Sequence, residues 1–152
     1  MKPEDLYHRG IVVNDLDAAK KWLTDTLGYR WCDEYAGEQE VETPGGQTKV
    51  QIHFAYSLDE PRLELLQAVP GTVWVPSDSG IHHLGYWSDD VDGDVRSLVA
   101  DGATVQVKAP GGDAESLWAY LMTPTGIRVE LVSRAIEPLM RDWFATGRSP
   151  LA

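Results

Sequence analysis

Gly80-Ile81-His82-His83-Leu84-Gly85-Tyr86-Trp87-Ser88-Asp89-Asp90 restarts a pattern written once before, as Tyr7-His8-Arg9-Gly10-Ile11-Val12-Val13-Asn14-Asp15. A shift of 75 positions carries His8 onto His83, Gly10 onto Gly85, Asp15 onto Asp90 and Asp17 onto Asp92, as an internal duplication would. Each copy therefore predicts the other.

Working outward from the first copy, Leu6 to Val13 is an apolar, β-branched run. It ends at Asn14-Asp15, where Asp15 can accept a hydrogen bond from the first amides of a helix. Leu16, Ala19, Leu23 and Leu27 then recur at helical spacing, Gly28 closes the helix, and Lys20 and Lys21 are expected to face water. Strands are expected at 29–36, at 48–57 beyond the turn Thr43-Pro44-Gly45-Gly46, and at Arg62-Leu63-Glu64-Leu65-Leu66 before Pro70-Gly71. The second copy repeats this order. A strand from Ile81 leads to an Asp90 cap, then Val91, Val95, Leu98 and Val99 at helical spacing, with Gly102 as the stop. Strands near 103–108, 116–123 and 127–133 follow, and Pro110-Gly111-Gly112 echoes the earlier turn.

The resulting expectation is an α+β chain of two tandem βαβββ modules, 5–69 and 81–134, joined by a Pro-, Gly- and Ser-rich linker at 70–80. Residues 135–152 form a tail with a short helix over 135–146. Glu64 and Glu130 correspond at a separation of 66, so the first module is longer by 9 residues, and the segment 36–47 is where the excess is expected.

With 152 residues, 43% of them hydrophobic, the chain can bury a substantial core. A formal charge of -11 argues against nucleic acid or an anionic membrane as partner and favours a small molecule. Cys32 is the single cysteine, which suits a reducing compartment. No apolar run has membrane-spanning length, and Met1-Lys2-Pro3-Glu4-Asp5 lacks a signal peptide's apolar stretch, so a cytoplasmic protein is expected.

Strand alternation assigns faces. His8, Gly10 and Val12 share one side, and Leu63 and Leu65, like Val129 and Leu131, suit the side beneath a helix, which turns Glu64 and Glu130 the opposite way. His83 is in register with His8, whereas His82 lies on the reverse face. Neutral imidazoles and carboxylates suit a borderline divalent cation, and a metal offsets the cost of burying carboxylates. His8, Glu64, His83 and Glu130 are therefore the candidate ligands. Each residue alone reads more simply as a core histidine or a solvated glutamate; recurrence in an internal repeat changes that balance.

These motifs, with Leu63-Glu64-Leu65-Leu66 and Val129-Glu130-Leu131-Val132, resemble the vicinal oxygen chelate superfamily across about residues 5–134. Glyoxalase I, methylmalonyl-CoA epimerase, bleomycin-resistance proteins and extradiol dioxygenases belong to it. The resemblance implies paired modules forming a cupped mixed sheet with helices outside, a homodimer by analogy, and one divalent ion (Zn, Ni, Co, Mn or Fe) at the four matched positions.

A carboxylate at both repeat-equivalent positions favours the glyoxalase and epimerase type over the two-histidine, one-carboxylate dioxygenase site. In that type the metal stabilises an enediolate formed by proton abstraction next to a carbonyl. Glu130 is the first candidate base and Glu64 the second. Methylmalonyl-CoA epimerase adds a further base in a region where Glu34, Glu38, Glu40 and Glu42 compete, all four being more simply read as solvated. No set of basic residues suits the carboxylates of glutathione. Phe54, Tyr56, Trp87, Trp118, Tyr120 and Met122 are candidate pocket residues for an aromatic compound or an acyl thioester, with Trp118, Tyr120 and Met122 matched by the repeat to Ile52, Phe54 and Tyr56. Ordinary core packing is the competing reading. His53 reads as structural or surface, and Trp143 and Phe144 as docking on the protein or a partner subunit. A metal-dependent lyase, isomerase or epimerase leads. A non-catalytic antibiotic-binding protein is second and an extradiol-type dioxygenase third.

Overall fold

The computed structural model describes residues 1–151. The fold is α+β, with eight strands in mixed β-sheet and three α-helices. The elements run β1 (Leu6–Val13), α1 (Leu16–Leu27), β2 (Tyr35–Thr43), β3 (Gly46–Tyr56), β4 (Leu63–Gln67), β5 (His83–Ser88), α2 (Val91–Ala100), β6 (Thr104–Lys108), β7 (Trp118–Met122), β8 (Arg128–Ser133) and α3 (Glu137–Thr146). The order βαβββ thus occurs twice. No helix among the described residues is long and apolar enough to cross a membrane.

Chain contacts divide the molecule into two compact units. One contains β1 from His8 onward, α1, β4, the start of β2, the end of β3 and the residues from Pro138 onward; the other contains β5 to β8, α2, Met1–Tyr7 and the hairpin segment Glu38–Val50. In the β1/β4 unit, β1 lies parallel to β4 and β4 antiparallel to β3. Helix α1 begins where the Asp15 carboxylate accepts the Ala18 amide at 2.9 Å, and it ends at Gly28, whose φ of 79° is the left-handed conformation glycine adopts freely. Gln67 at the end of β4 ties strand to helix, accepting the Leu16 amide at 3.0 Å and donating to the Asn14 carbonyl at 2.9 Å. Lys20 does not face water. Its side chain is 20% exposed and it bonds Glu34, whose other oxygen takes His53.

In the β5/β8 unit, β5 is parallel to β8, and the antiparallel neighbours β7, β6 and β2 continue the sheet. Asp90 caps α2 by accepting the Gly93 amide at 2.8 Å. Val91, Leu121 and Leu131 are fully buried between α2 and the sheet, with Val95, Leu98 and Val129 packed around them. This is the apolar side that alternation assigned to Val129 and Leu131.

Strand β2 starts at Tyr35, not at 29. Residues 29–34 make a single strand-like bridge, Trp31 with Ser57, and are otherwise fixed locally: the Arg30 amide and guanidinium both bond Asp59, and the Trp31 indole donates to the Thr24 hydroxyl at 3.0 Å. The strands of the first hairpin are longer, 9 and 11 residues against 5 and 5 for β6 and β7, but the loop 109–117 offsets most of that. Of the 9 extra residues three fall in the hairpin, four between α1 and β2 and two in α1, so the excess is not confined to 36–47.

Candidate metal centre

Each unit delivers one histidine and one glutamate by the same construction. On β1, His8, Gly10 and Val12 are buried while their neighbours are half-buried. The parallel register sets Gly10 opposite Glu64, and the antiparallel register sets Tyr56 opposite Glu64. On β5 and β8 the register sets Gly85 opposite Glu130, with Tyr120 opposite Glu130 from β7. A glycine beside each glutamate leaves space for the carboxylate to lie over the neighbouring strand, toward the histidine two residues earlier. Accordingly His8 Nε2 stands 3.4 Å from Glu64 Oε2, and His83 Nε2 stands 3.4 Å from Glu130 Oε2. All four residues are at least nine-tenths buried.

The tyrosines complete the likeness. Tyr56 meets the His8 ring edge-on, with centroids 5.5 Å apart, and Tyr120 meets the His83 ring at 4.8 Å. Tyr120 is therefore the counterpart of Tyr56, and Trp118, opposite Val132, is the counterpart of Phe54, opposite Leu66. The sequence-based matching of Trp118, Tyr120 and Met122 to Ile52, Phe54 and Tyr56 is corrected by two residues, because the shift of 66 between the glutamates does not hold on the neighbouring strands: eight positions separate Tyr56 from Glu64, and ten separate Tyr120 from Glu130.

The donor set fits a divalent ion. A separation of 3.4 Å is long for an N–H···O hydrogen bond, whose usual length is about 2.9 Å. It matches the edge between two ligands each about 2.1 Å from a tetrahedral cation, roughly 3.4 Å. His8, Glu64, His83 and Glu130 together could hold such an ion, and a cation would compensate carboxylates removed from water.

Other sequence-derived candidates fall elsewhere. His82 is buried but turned away, donating from Nε2 to the Val73 carbonyl at 2.7 Å. His53 is partly exposed and bonds Glu34 at 2.5 Å. Burial alone would raise the Glu34 carboxyl, but hydrogen bonds from Lys20 and His53 outweigh it and hold the group below its ordinary range. Glu38 and Glu40 are exposed, with Val41 buried on the alternate face of β2; Glu38 pairs with Lys49 and Glu42 with Lys108. A groove of about 400 Å³ bordered by Gly37, Ile52, His53 and Val69 includes none of the four candidate ligands.

Among the candidate pocket aromatics, Phe54 and Tyr56 are buried on the face that carries Glu64. Trp118 packs edge-on against Tyr120 at 5.6 Å, while Met122 sits half-buried at the strand end opposite Arg128. Trp87 is buried and stacks on Tyr7 at 3.9 Å, a partner that sequence reading missed. Trp143 is fully buried against Phe54 and Tyr56, and Phe144 lies between Tyr56 and the Arg62 guanidinium, so the tail docks on the β1/β4 unit. Cys32, also buried, directs its thiol at the Trp143 carbonyl, and burial pushes its pKa up to about 11.

Comparison with known proteins bears on the family and the fold. Residues 7–120 match the model of the glyoxalase/bleomycin resistance protein/dioxygenase superfamily. Among solved structures, a variant of Streptomyces coelicolor methylmalonyl-CoA epimerase in complex with 2-nitronate-propionyl-CoA is 22% identical, at a TM-score of 0.58 over 86% of this chain and 97% of that one. The Mycobacterium tuberculosis methylmalonyl-CoA epimerase is 24% identical, at 0.55 over 90% and 91%. A mutant 4-hydroxymandelate synthase from Streptomyces coelicolor is 23% identical, at 0.58 over 88% of this chain and 39% of that one. No curated protein sequence is a significant match. Likeness at these identities establishes a shared fold, and the family match extends over most of the chain. The chain belongs to the glyoxalase/bleomycin resistance protein/dioxygenase superfamily.

Proposed function

We propose that the protein is a divalent-metal-dependent epimerase or isomerase that moves a proton on the carbon next to a carbonyl. The observation that carries this reading is the repeated His–Glu pair, buried and spaced at 3.4 Å in both units. His8 and Glu64 would hold the ion together with His83 and Glu130. When bound, the ion supplies Lewis-acid stabilisation of negative charge developing on a carbonyl oxygen. The chain's own groups do the rest. Glu130, with Glu64 the second candidate, takes the proton from the carbon acid as general base, and inversion follows when a proton is delivered to the opposite face of that carbon. Phe54, Tyr56, Trp87, Trp118, Tyr120 and Met122 provide apolar surface for the substrate's body and exclude water from the reacting carbon.

Acyl thioesters are the first substrate class to try, since structural relatives include an epimerase in complex with methylmalonyl-CoA. The test is exchange of the C2 proton of methylmalonyl-CoA with deuterated water, followed by NMR, on protein loaded with cobalt. Exchange that stops on chelation and in Glu130→Gln supports the reading. Exchange that is absent with every loaded metal, or unchanged in Glu130→Gln, overturns it.

A further inference from the structure

Trp143 is 0% exposed, yet its indole N–H finds no hydrogen-bond partner among the described residues. A buried donor without an acceptor is costly, and buried tryptophans ordinarily find one. The position is not a loosely held one. Cys32 Sγ and the Gly147 amide both bond the Trp143 carbonyl, at 3.8 and 2.7 Å, and the Asp33 amide bonds the Gly147 carbonyl at 2.6 Å. Phe144, one residue on, is clamped by Arg62, whose guanidinium carbon lies 3.9 Å from the ring centroid. The backbone around Trp143 is thus fixed while its one polar atom is left without a partner.

The ring's neighbours indicate what would complete it. Trp143 packs on Phe54 at 6.1 Å and edge-on against Tyr56 at 5.5 Å, and Tyr56 in turn meets the His8 ring at 5.5 Å. Phe54 and Tyr56 lie on the sheet face that presents Glu64. The indole therefore stands one aromatic ring beyond the proposed ligand pair, on the same face.

We infer that Trp143 is a specificity-determining residue: its indole N–H donates to an oxygen acceptor several bonds from the carbonyl that is held near His8 and Glu64. The occupant would be an elongated acyl compound with a second carbonyl or amide oxygen, not a small 2-oxo acid. This rests on the function proposed above and assigns the C-terminal helix a place in it. Phenylalanine at position 143 would keep an aromatic ring against Phe54 and Tyr56 but lacks the donor.

The test uses the full chain loaded with zinc, labelled with 15N-tryptophan, and titrated with 2-nitronate-propionyl-CoA as the probe. Trp143→Phe assigns the Trp143 indole resonance by its loss and keeps the ring; circular dichroism checks its fold. The expected result is a downfield shift of that indole proton with probe but not with zinc alone, and binding about tenfold weaker in Trp143→Phe. If the variant does not fold, the largest downfield shift falling on the most slowly exchanging indole of the wild type is the supporting result, and no such shift overturns the inference. Unaltered affinity in Trp143→Phe, or an indole resonance unmoved while the probe binds, overturns the role of Trp143 and leaves the proposed function standing. Failure of the wild type to bind the probe overturns the acyl-thioester reading and this inference together.

Discussion

The two halves share a ligand-bearing plan and differ in what is laid over it. His8, Gly10, Glu64 and Tyr56 on one side, and His83, Gly85, Glu130 and Tyr120 on the other, have the same strand registers and the same 3.4 Å spacing. Around them the halves diverge. The β1/β4 unit has the C-terminal helix on its aromatic face, with Trp143 fully buried, whereas the aromatic face of the β5/β8 unit carries Trp118 half-buried and Trp87 stacked on Tyr7. Duplicated strands thus keep the four groups that could hold a divalent ion. Unduplicated pieces can change what lies beside them without disturbing the ligands.

The largest effects are expected at the two glutamates. Glu64→Gln and Glu130→Gln are each expected to lower turnover by about 10²–10⁴-fold, the range for loss of a general acid or base, with the larger loss at Glu130. Steady-state rates with saturating metal measure it, and a near-normal Glu130→Gln would remove the assigned base. The difference between the aromatic faces predicts the next effect. Trp143→Ala should cost about 3–5 kcal/mol of stability, as full-size core truncations do, and Trp118→Ala clearly less because its side chain is only partly buried. Urea denaturation checks both, and equal costs would deny that the C-terminal helix is a structural part of its unit.

A pH effect should come from the β1/β4 unit through Cys32. The unfolded thiol ionises near 9.0, while burial holds the folded one to about 11. The unfolded state therefore releases its proton first as pH rises, and stability falls between pH 9.0 and about 11, then levels. Denaturation midpoints across that window should show this loss in the wild type and not in Cys32→Ser. The smallest expected effects are at the helix caps, where the halves are alike again. Asp15→Ala and Asp90→Ala should each cost about 1 kcal/mol, and a clear inequality in thermal unfolding would show that the two starts are not equivalent.

Much of this architecture is legible in the residues because it is local. Alternation alone placed His8 apart from Arg9, and Glu64 and Glu130 away from the helices, since strand periodicity is fixed by the pleat. Asp15 and Gly28 bounded α1 because capping involves neighbours in sequence. Features set by distant contacts escaped. Tyr29-Arg30-Trp31-Cys32 has strand-like composition, yet Asp59, Thr24 and Tyr56 hold it in a non-strand path. Lys20 follows helix periodicity toward solvent, but Glu34, fourteen positions on, draws it in. The docking of Trp143 depends on Cys32, which is 111 positions away, and on rings from β3. The shift of 66 fails by two residues at Tyr120 because the length of the β3–β4 and β7–β8 connections is decided by pairing, not by the residues within one strand.

If the two equivalent His–Glu pairs serve one ion, metal stoichiometry will show it. Protein stripped by chelation and titrated calorimetrically with cobalt or nickel should bind one ion per chain. His8→Ala and His83→Ala should each abolish high-affinity binding, to a similar extent. Two ions per chain, or tight binding that survives loss of either histidine, would mean that the two pairs do not share an ion.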